Sequence, residues 1–156
     1  MKSTGEAIGY DKALNRALFK ALQASGMNVA NSGTVFVTIA DADKAEALPL
    51  IRRFYNLGFN IEATEGTARF LREHGIRTRI KKKISEGSDE ILQVIRAGFV
   101  SYILNTRAVL SGVHYEDGVA IRQCAIENGV TMFTSLDTVK ILLDVLEDRT
   151  PRISVI

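Results

Sequence analysis

The feature that most constrains this chain is a regular alternation of short apolar runs with amphipathic stretches, which continues from residue 34 to residue 147. TVFVTIA at 34–40 is rich in β-branched residues, and from 43 to 57 apolar residues recur every three or four positions. Parallel strands need a crossover between them, and each right-handed crossover lays its helix on one face of the sheet. The alternation therefore predicts an α/β fold in which helices cover both faces of a five-stranded parallel sheet.

The same pattern predicts where each element lies. Strands are expected at 34–40, 59–63, 78–82, 100–105 and 131–134, and helices at 43–57, in a short stretch that ends at His74, and at 89–97, 118–128 and 136–147. Gly58 is expected to end the first of these helices. An amphipathic helix at 11–24 and a linker at 28–33 precede the sheet. The longest connection, 106–116, lacks a strong periodicity and is expected to be a functional loop.

Composition narrows the class of protein. The chain is 46% apolar and 24% charged, which is typical of a globular domain, and its formal net charge of +2 is too small to indicate a nucleic-acid partner. It lacks both a signal-peptide pattern and an apolar run long enough to span a membrane, so we expect no membrane partner. A single cysteine, Cys124, fits a reducing compartment and is expected in the core. We therefore expect a cytoplasmic protein.

Polar side chains gather where the predicted strands end. Ligands of open parallel sheets bind beyond the carboxyl ends of the strands. In TEGT, residues 64–67, Thr64 and Thr67 flank Gly66 at a predicted strand-to-helix junction, and a helix N-terminus with a glycine admits an anion. Lys44 and Lys83 follow two other strands. These residues predict a phosphate site, and Thr67→Val is expected to weaken binding while leaving the fold intact.

Simpler interpretations stay open for each of these residues. Thr64 could be only a helix N-cap, and Gly66 only a turn residue. Lys81–Lys83 could be a solvated face. Asp41 and Asp43 could simply begin a helix. The chain has neither a Walker A loop nor a G-x-G-x-x-G fingerprint, and its two histidines and one cysteine predict no metal site.

Several motifs in a fixed order indicate a family. They are Asp43-Lys44, GFNIEATEGTARFLREHGI at 58–76, KISEG at 83–87, YILNT at 102–106, DGVAIRQCAIENGV at 117–130 and TSLDT at 134–138. From about 33 to 147 the chain resembles the C-terminal regulatory domain of the carbamoyl phosphate synthetase large subunit. STGEAIG at 3–9 resembles the end of a preceding ATP-using synthetase domain. The expected organisation is a synthetase tail at 1–32, a regulatory domain at 33–150 and a C-terminal tail at 151–156, as a piece of a larger subunit.

The resemblance implies a fold and a function. The fold would be that of methylglyoxal synthase, a three-layer Rossmann-like sandwich. The function would be allosteric control, by a nucleotide monophosphate such as uridylate or inosinate, of carbamoyl phosphate synthesis from bicarbonate, glutamine-derived ammonia and ATP. Partners would be the synthetase domains of the parent chain and its small glutaminase subunit, and the sequence leaves open whether the protein forms a homo-oligomer. The segment itself would need no cofactor, whereas the parent would use ATP with Mg or Mn.

The resemblance also implies roles for individual residues. Lys44, Thr64, Gly66, Thr67 and Lys83 would bind the effector phosphate. Asn105, Thr106 and Arg107 would face the sugar or base, although a hydroxyl residue is usual where Arg107 stands. Thr134 would belong to a second effector site of the ornithine type, where Met132 replaces an aromatic hydroxyl. Glu65 replaces a common histidine, and it would either repel phosphate or complement the helix dipole.

Two other functions remain open. The first is a structural or oligomerisation module whose effector pocket has degenerated. The second is a lyase like methylglyoxal synthase itself, for which Asp89 could be the catalytic base. The resemblance implies that a histidine after the first strand and an aspartate after the fourth would also be needed, and IADADK and NTRAV lack them. We therefore expect no catalytic residue in this segment.

Overall fold

Five parallel strands form the centre of the protein in this computed structural model, which describes residues 14, 16–24, 29–84, 87–106 and 113–149, the side chains of 113–117 and 149 excepted. The strands are β1 (Thr34–Thr38), β2 (Asn60–Ala63), β3 (Thr78–Ile80), β4 (Val100–Asn105) and β5 (Thr131–Phe133). Their order in the sheet is β3-β2-β1-β4-β5, and every neighbouring pair is parallel. The predicted α/β class and the five-stranded parallel sheet are confirmed.

Helices connect the strands. They are α1 (16–24), α2 (Lys44–Asn56), α3 (Glu65–Glu73), α4 (Glu90–Arg96), α5 (Val113–Glu127) and α6 (Leu136–Arg149), with a 3-10 turn at Asp41–Asp43 before α2. Gly58 ends α2 as expected, because it adopts a φ of +99° that other residues rarely reach. Pro49 lies inside α2.

Several predicted boundaries were wrong by two or more residues: β1 ends at Thr38 rather than at 40, and α6 ends at Arg149 rather than at 147. The helix α5 begins at Val113 rather than at 118, so the expected loop at 106–116 is shorter, and its residues 107–112 lie outside the described part. The periodicity of α5 is blurred because Val119 and Ile126 are exposed while Ile121 is buried. β3 ends at Ile80 instead of 82, because its only neighbour β2 ends at Ala63 and one last bond, from the Lys81 N–H to the Ala63 carbonyl, closes the ladder.

Side chains alternate between the two faces of the sheet and form two apolar cores. Val35 and Val37 of β1 join the larger core, which packs against α2, α3 and α6. Phe36 between them joins the smaller core, which packs against α4 and α5. Alternate residues of one strand therefore reach opposite helical layers, as a doubly covered sheet requires.

The strand order places a topological switch point between β1 and β4. The chain leaves β1 towards β2 and β3, then crosses back over the sheet to β4. Thr38 and Asn105, the last residues of β1 and β4, are register partners there. Crevices at such a point are where open α/β sheets bind ligands. The fold therefore makes the carboxyl ends of β1 and β4 the expected position of a ligand site.

Two hydrogen bonds fix the position of the predicted linker. Ser101 Oγ donates to the Ser32 carbonyl at 2.7 Å, and the Tyr102 hydroxyl donates to the Ala30 carbonyl at 2.7 Å, so the predicted linker is held beside β4.

Within the described ranges, none of the helices combines the length and hydropathy that crossing a membrane requires.

Candidate functional site

At the carboxyl ends of the strands, three threonine hydroxyls each accept a hydrogen bond through the oxygen atom. Their own hydrogens therefore remain available for donation. Thr67 Oγ1 accepts the Ile39 N–H at 3.1 Å, and Thr106 Oγ1 accepts the Ala40 N–H at 2.8 Å. Thr38 Oγ1 accepts the Thr64 hydroxyl at 3.2 Å. A hydroxyl has one hydrogen and two lone pairs, so each of these acceptors still has its own hydrogen available. None of the three hydrogens has an acceptor among the described residues.

These hydroxyls are buried and held in fixed positions. Thr38, Thr64, Thr67 and Thr106 are each between 1% and 5% exposed. Burying a hydroxyl whose hydrogen has no partner carries a desolvation penalty of about 1–3 kcal/mol. An anion with oxygen acceptors would remove that penalty. We name this group the strand-end cup, defined as Thr38, Lys44, Thr64, Gly66, Thr67, Asn105 and Thr106.

Thr64 occupies the N-cap position of α3 but does not cap the helix with its side chain. Its hydroxyl points instead to Thr38 on the neighbouring strand, and the first hydrogen bond of the helix runs from the Ala68 N–H to the Thr64 carbonyl. The structure thus confirms Thr64 as the N-cap residue of α3, although its hydroxyl makes no capping hydrogen bond. The first turn of α3 keeps its backbone N–H groups for another acceptor.

The backbone conformation at Gly66 does not require a glycine. It lies in the first turn of α3, and it is not among the glycines of positive φ. A Cβ added there would meet one atom within 4 Å, Lys44 Nζ at 3.9 Å. The interpretation of Gly66 as a turn residue is therefore wrong. What the missing Cβ leaves open is the space between the ammonium group and the start of the helix.

The two lysines predicted to bind phosphate differ in their surroundings. Lys44 begins α2, its side chain is only 19% exposed, and its Nζ lies 2.6 Å from Asp41 Oδ1. Lys83 follows β3 and is half-buried, and within the described part of the chain no hydrogen bond or ion pair joins it to Lys44, Thr64 or Thr67. The structure therefore brings Lys44 to the junction with Gly66, while the role of Lys83 stays a prediction.

Asn105 and Thr106 end β4 beside β1. Asn105 is 1% exposed, and its Oδ1 has no hydrogen-bond partner among the described residues, while its Nδ2 faces the Met132 sulfur at 4.0 Å. A buried amide with an unused acceptor suits a ligand that carries a donor. Arg107 lies outside the described residues.

Glu65 does not point into the cup. Its carboxylate pairs with Arg69 one turn along α3 at 3.0 Å, and its side chain is 62% exposed. The ion pair with Arg69 directs the Glu65 carboxylate along the exposed surface of α3, away from the cup. Of the two predicted roles for Glu65, the geometry supports the dipole partner in the first turn.

Thr134 lies away from the junction of β2 with α3. It lines an open cavity of about 290 Å³ together with Thr106, Ser135 and the carboxylates of Asp43, Glu46 and Asp137. Three carboxylates there would favour a cation over an anion. The second effector site therefore stays a prediction for this cavity.

The described residues considered for catalysis or metal binding lie at helix ends or in the core. Asp89 precedes α4 and is exposed, and its Oδ2 accepts from Gln93 Nε2 at 2.9 Å. His74 ends α3, as expected, and Cys124 is buried in the smaller core, as expected. His114 lies outside the side chains described. Among the described residues, no three His, Cys, Asp or Glu side chains lie close enough together to hold a metal ion.

Sequence analysis missed two residues near the cup. Thr38 is the last residue of β1, and it could have been found by the same strand-end rule that selected Asn105. Glu62, two residues before Thr64, is 7% exposed, and its Oε1 is buried without a partner among the described residues. The signal for Glu62 was a charged residue inside a strand of a sheet covered on both faces, where nearly every strand position is expected to be apolar.

Taken together, the cup is rich in hydrogen-bond donors. It offers hydroxyl hydrogens, the Lys44 ammonium and the N–H groups of the first turn of α3, which carry a partial positive charge. Donors of this kind suit an oxyanion ligand. A model of the MGS-like domain family, the methylglyoxal synthase-like family, matches residues 46–134, which is more than half of the chain and includes β2 to β5. The chain therefore belongs to the MGS-like domain family.

Proposed function

We propose that this domain binds the phosphate of a nucleotide monophosphate in the strand-end cup, and that it is the allosteric regulatory domain of a carbamoyl phosphate synthetase large subunit. The observation that carries the first part is Gly66. Its backbone conformation would accept any residue, so the absence of a Cβ is explained by a ligand that approaches the first turn of α3 beneath Lys44.

The buried hydroxyls support the same ligand. Thr38, Thr67 and Thr106 use their oxygens as acceptors, which orients the remaining hydrogens and keeps them for an outside acceptor. A phosphate dianion has three terminal oxygens with lone pairs enough for several donors at once. The Asn105 carbonyl, which cannot donate to phosphate, would then accept from a sugar hydroxyl or a base N–H.

The second part of the proposal rests on the order of motifs along residues 43–138, and membership of the MGS-like family supports it at the level of the domain. In such a parent, an effector that binds differently to two conformations of this domain would change the affinity of the synthetase for ATP. Couplings of this kind are typically about 1–3 kcal/mol. The parent reaction would join bicarbonate, glutamine-derived ammonia and ATP, with the glutaminase subunit as partner.

Ligand-dependent thermal unfolding tests the binding step. Inorganic phosphate, uridylate or inosinate at about 100 times the dissociation constant should add roughly 2.7 kcal/mol to the free energy of unfolding. For a chain of this size that corresponds to a rise in Tm of about 5–10 °C. A folded sample that none of the three stabilises would instead support the structural module. Turnover of dihydroxyacetone phosphate would support the lyase.

Gly66→Ala separates binding from folding. The added methyl meets only Lys44 Nζ at 3.9 Å, so the free energy of unfolding without ligand should rise by about 0.4–1 kcal/mol through the reduced freedom of the unfolded chain. Phosphate affinity should fall about tenfold or more, since at least one charge-assisted hydrogen bond would be lost. Glu73→Ala in the last turn of the same helix is the matched control, and it should leave phosphate affinity unchanged. Equal affinities for Gly66→Ala and the wild type would contradict the proposed site.

A further inference from the structure

The inference concerns the regulation of the proposed phosphate site, and so it rests on the proposed function. Without a ligand, Lys44 is not free: its Nζ lies 2.6 Å from Asp41 Oδ1, within one turn of chain. The carboxylate thus takes one of the three donor hydrogens of the ammonium group and neutralises its charge.

The two partners of this ion pair are unequal. The Lys44 side chain is only 19% exposed and lies over the start of α3, whereas the Asp41 side chain is 90% exposed. An exposed carboxylate can leave its partner for water at little cost, since pairs of this kind contribute about 0–1 kcal/mol. Asp41 can therefore be displaced while Lys44 stays at the cup.

Asp41 also belongs to an element that connects the cup to its surroundings. It begins the 3-10 turn Asp41–Asp43 between β1 and α2, and the turn is closed by the Asp43 N–H donating to the Ala40 carbonyl at 2.9 Å. Ala40 in turn donates to Thr106 of the cup, and Asp43 lines the cavity that contains Thr134. A change at Asp41 would thus occur in the segment that contacts both the cup and the cavity that contains Thr134.

We propose that Asp41 is an internal counter-ion that competes with phosphate for Lys44, so that ligand binding breaks the Asp41–Lys44 pair and moves the Asp41 carboxylate away from Lys44 at the start of the 3-10 turn. The pair then has two discrete arrangements, with Lys44 bound to the carboxylate in the empty site and to the phosphate in the filled one. A ligand with differential contacts in two such states shifts their populations. Asp41 thereby lowers the phosphate affinity of the site. The position of its carboxylate then depends on whether phosphate is bound.

Asp41→Asn tests the competition by calorimetric titration with inorganic phosphate at pH 8. Loss of the competing ion pair should tighten phosphate binding by about two- to fivefold. Asp43→Asn is the matched control: it removes the same charge from the same turn, Asn is as good an N-cap as Asp, and Asp43 makes no side-chain capping bond. Its phosphate affinity should stay that of the wild type.

A double-mutant cycle with Lys44→Met distinguishes exchange at Lys44 from a general effect of charge. If Asp41 acts through Lys44, Asp41→Asn should not improve binding when Lys44 is already Met. An equal improvement in both backgrounds would overturn the inference, and so would an Asp41→Asn variant that binds phosphate no more tightly than the wild type. If neither the wild type nor Asp41→Asn binds phosphate, the proposed function fails as well.

The displacement of the Asp41 carboxylate has its own signal. In a phosphate titration followed by NMR, the carboxyl carbon of Asp41 should shift with the same saturation curve as the calorimetric binding, and the Asp43 carboxyl carbon should shift much less. An Asp41 signal that stays constant while phosphate saturates the site would overturn the proposed exchange.

Discussion

Two polar clusters join distant parts of this chain, and they use their hydrogen-bonding capacity in opposite ways. In the strand-end cup, the buried hydroxyls of Thr67 and Thr106 accept from the backbone, and their own hydrogens have no acceptor among the described residues. In the second cluster, the α2–α6 clamp formed by Arg53, Asp144 and Glu147, the guanidinium donates to Glu147 at 2.6 and 3.0 Å and to Asp144 at 2.7 Å. The Arg53 side chain is 28% exposed, so the clamp lies partly in water.

The difference teaches how to tell a site from a structural contact. The clamp satisfies its charges internally: the hydrogen bond to Glu147, with a smaller contribution from Asp144, raises the pKa of Arg53 above its ordinary value although desolvation lowers it. Because the folded-state pKa is raised, the stabilisation is fully present below the ordinary pKa of arginine, which covers the whole working pH range. The cup instead keeps unused donors buried, which is unfavourable unless a ligand accepts from them.

Lys44→Met should separate the two clusters most strongly. Phosphate affinity should fall about 10- to 100-fold, because a hydrogen bond to a charged group contributes about 1.5–3 kcal/mol. The free energy of unfolding should change by less than about 1 kcal/mol, since only the exposed pair with Asp41 is lost. Calorimetric titration with phosphate, together with urea unfolding, measures both quantities. An unchanged affinity would remove Lys44 from the site.

Thr67→Val should be costly for the fold as well as for binding, and here the structure revises the expectation from sequence. Valine cannot accept the Ile39 N–H, so a buried donor would lose its partner and the free energy of unfolding should fall by about 1–3 kcal/mol. Thr67→Ser keeps the hydroxyl and is the matched control, with a smaller loss of stability and retained phosphate binding. If Thr67→Val unfolds at the same urea concentration as the wild type, the Thr67 hydroxyl is not a structural acceptor.

Arg53→Met should show the reverse behaviour on a smaller scale. Methionine keeps much of the apolar stem and removes the ion pairs, so the free energy of unfolding should fall by about 1 kcal/mol, and by less at high salt. Phosphate affinity should equal that of the wild type. Urea unfolding at low and high salt measures the first effect, and a change in phosphate affinity would mean that the clamp and the cup are coupled.

Much of the fold could be predicted from local patterns. The strands and helices follow from apolar periodicity, and Gly58 ends α2 because only glycine adopts its φ of +99° without strain. Boundaries were less predictable where the cause lies outside the element. The end of β3 depends on the length of β2, and the start of α5 is hidden by exposed apolar residues such as Ile126.

The position of the candidate site in the fold could be predicted from the sequence, but its contacts could be predicted only partly. Parallel strands bring their carboxyl ends together, so Thr64, Thr67 and Asn105 were expected to meet at one edge of the sheet. The donor and acceptor assignments could not be predicted, because they depend on neighbours far along the chain: Thr67 accepts from Ile39, 28 residues away, and Thr106 accepts from Ala40, 66 residues away.

The sequence by itself determined the α/β class, the parallel sheet and the sheet edge at which the polar side chains of the candidate site gather, because these follow from the apolar periodicity along the chain. Only the tertiary structure decided that Thr64 faces Thr38, that Glu65 turns towards Arg69, and that Lys44 is already paired with Asp41. These are choices among partners of similar chemistry, and distances of a few ångströms in the folded chain decide between them.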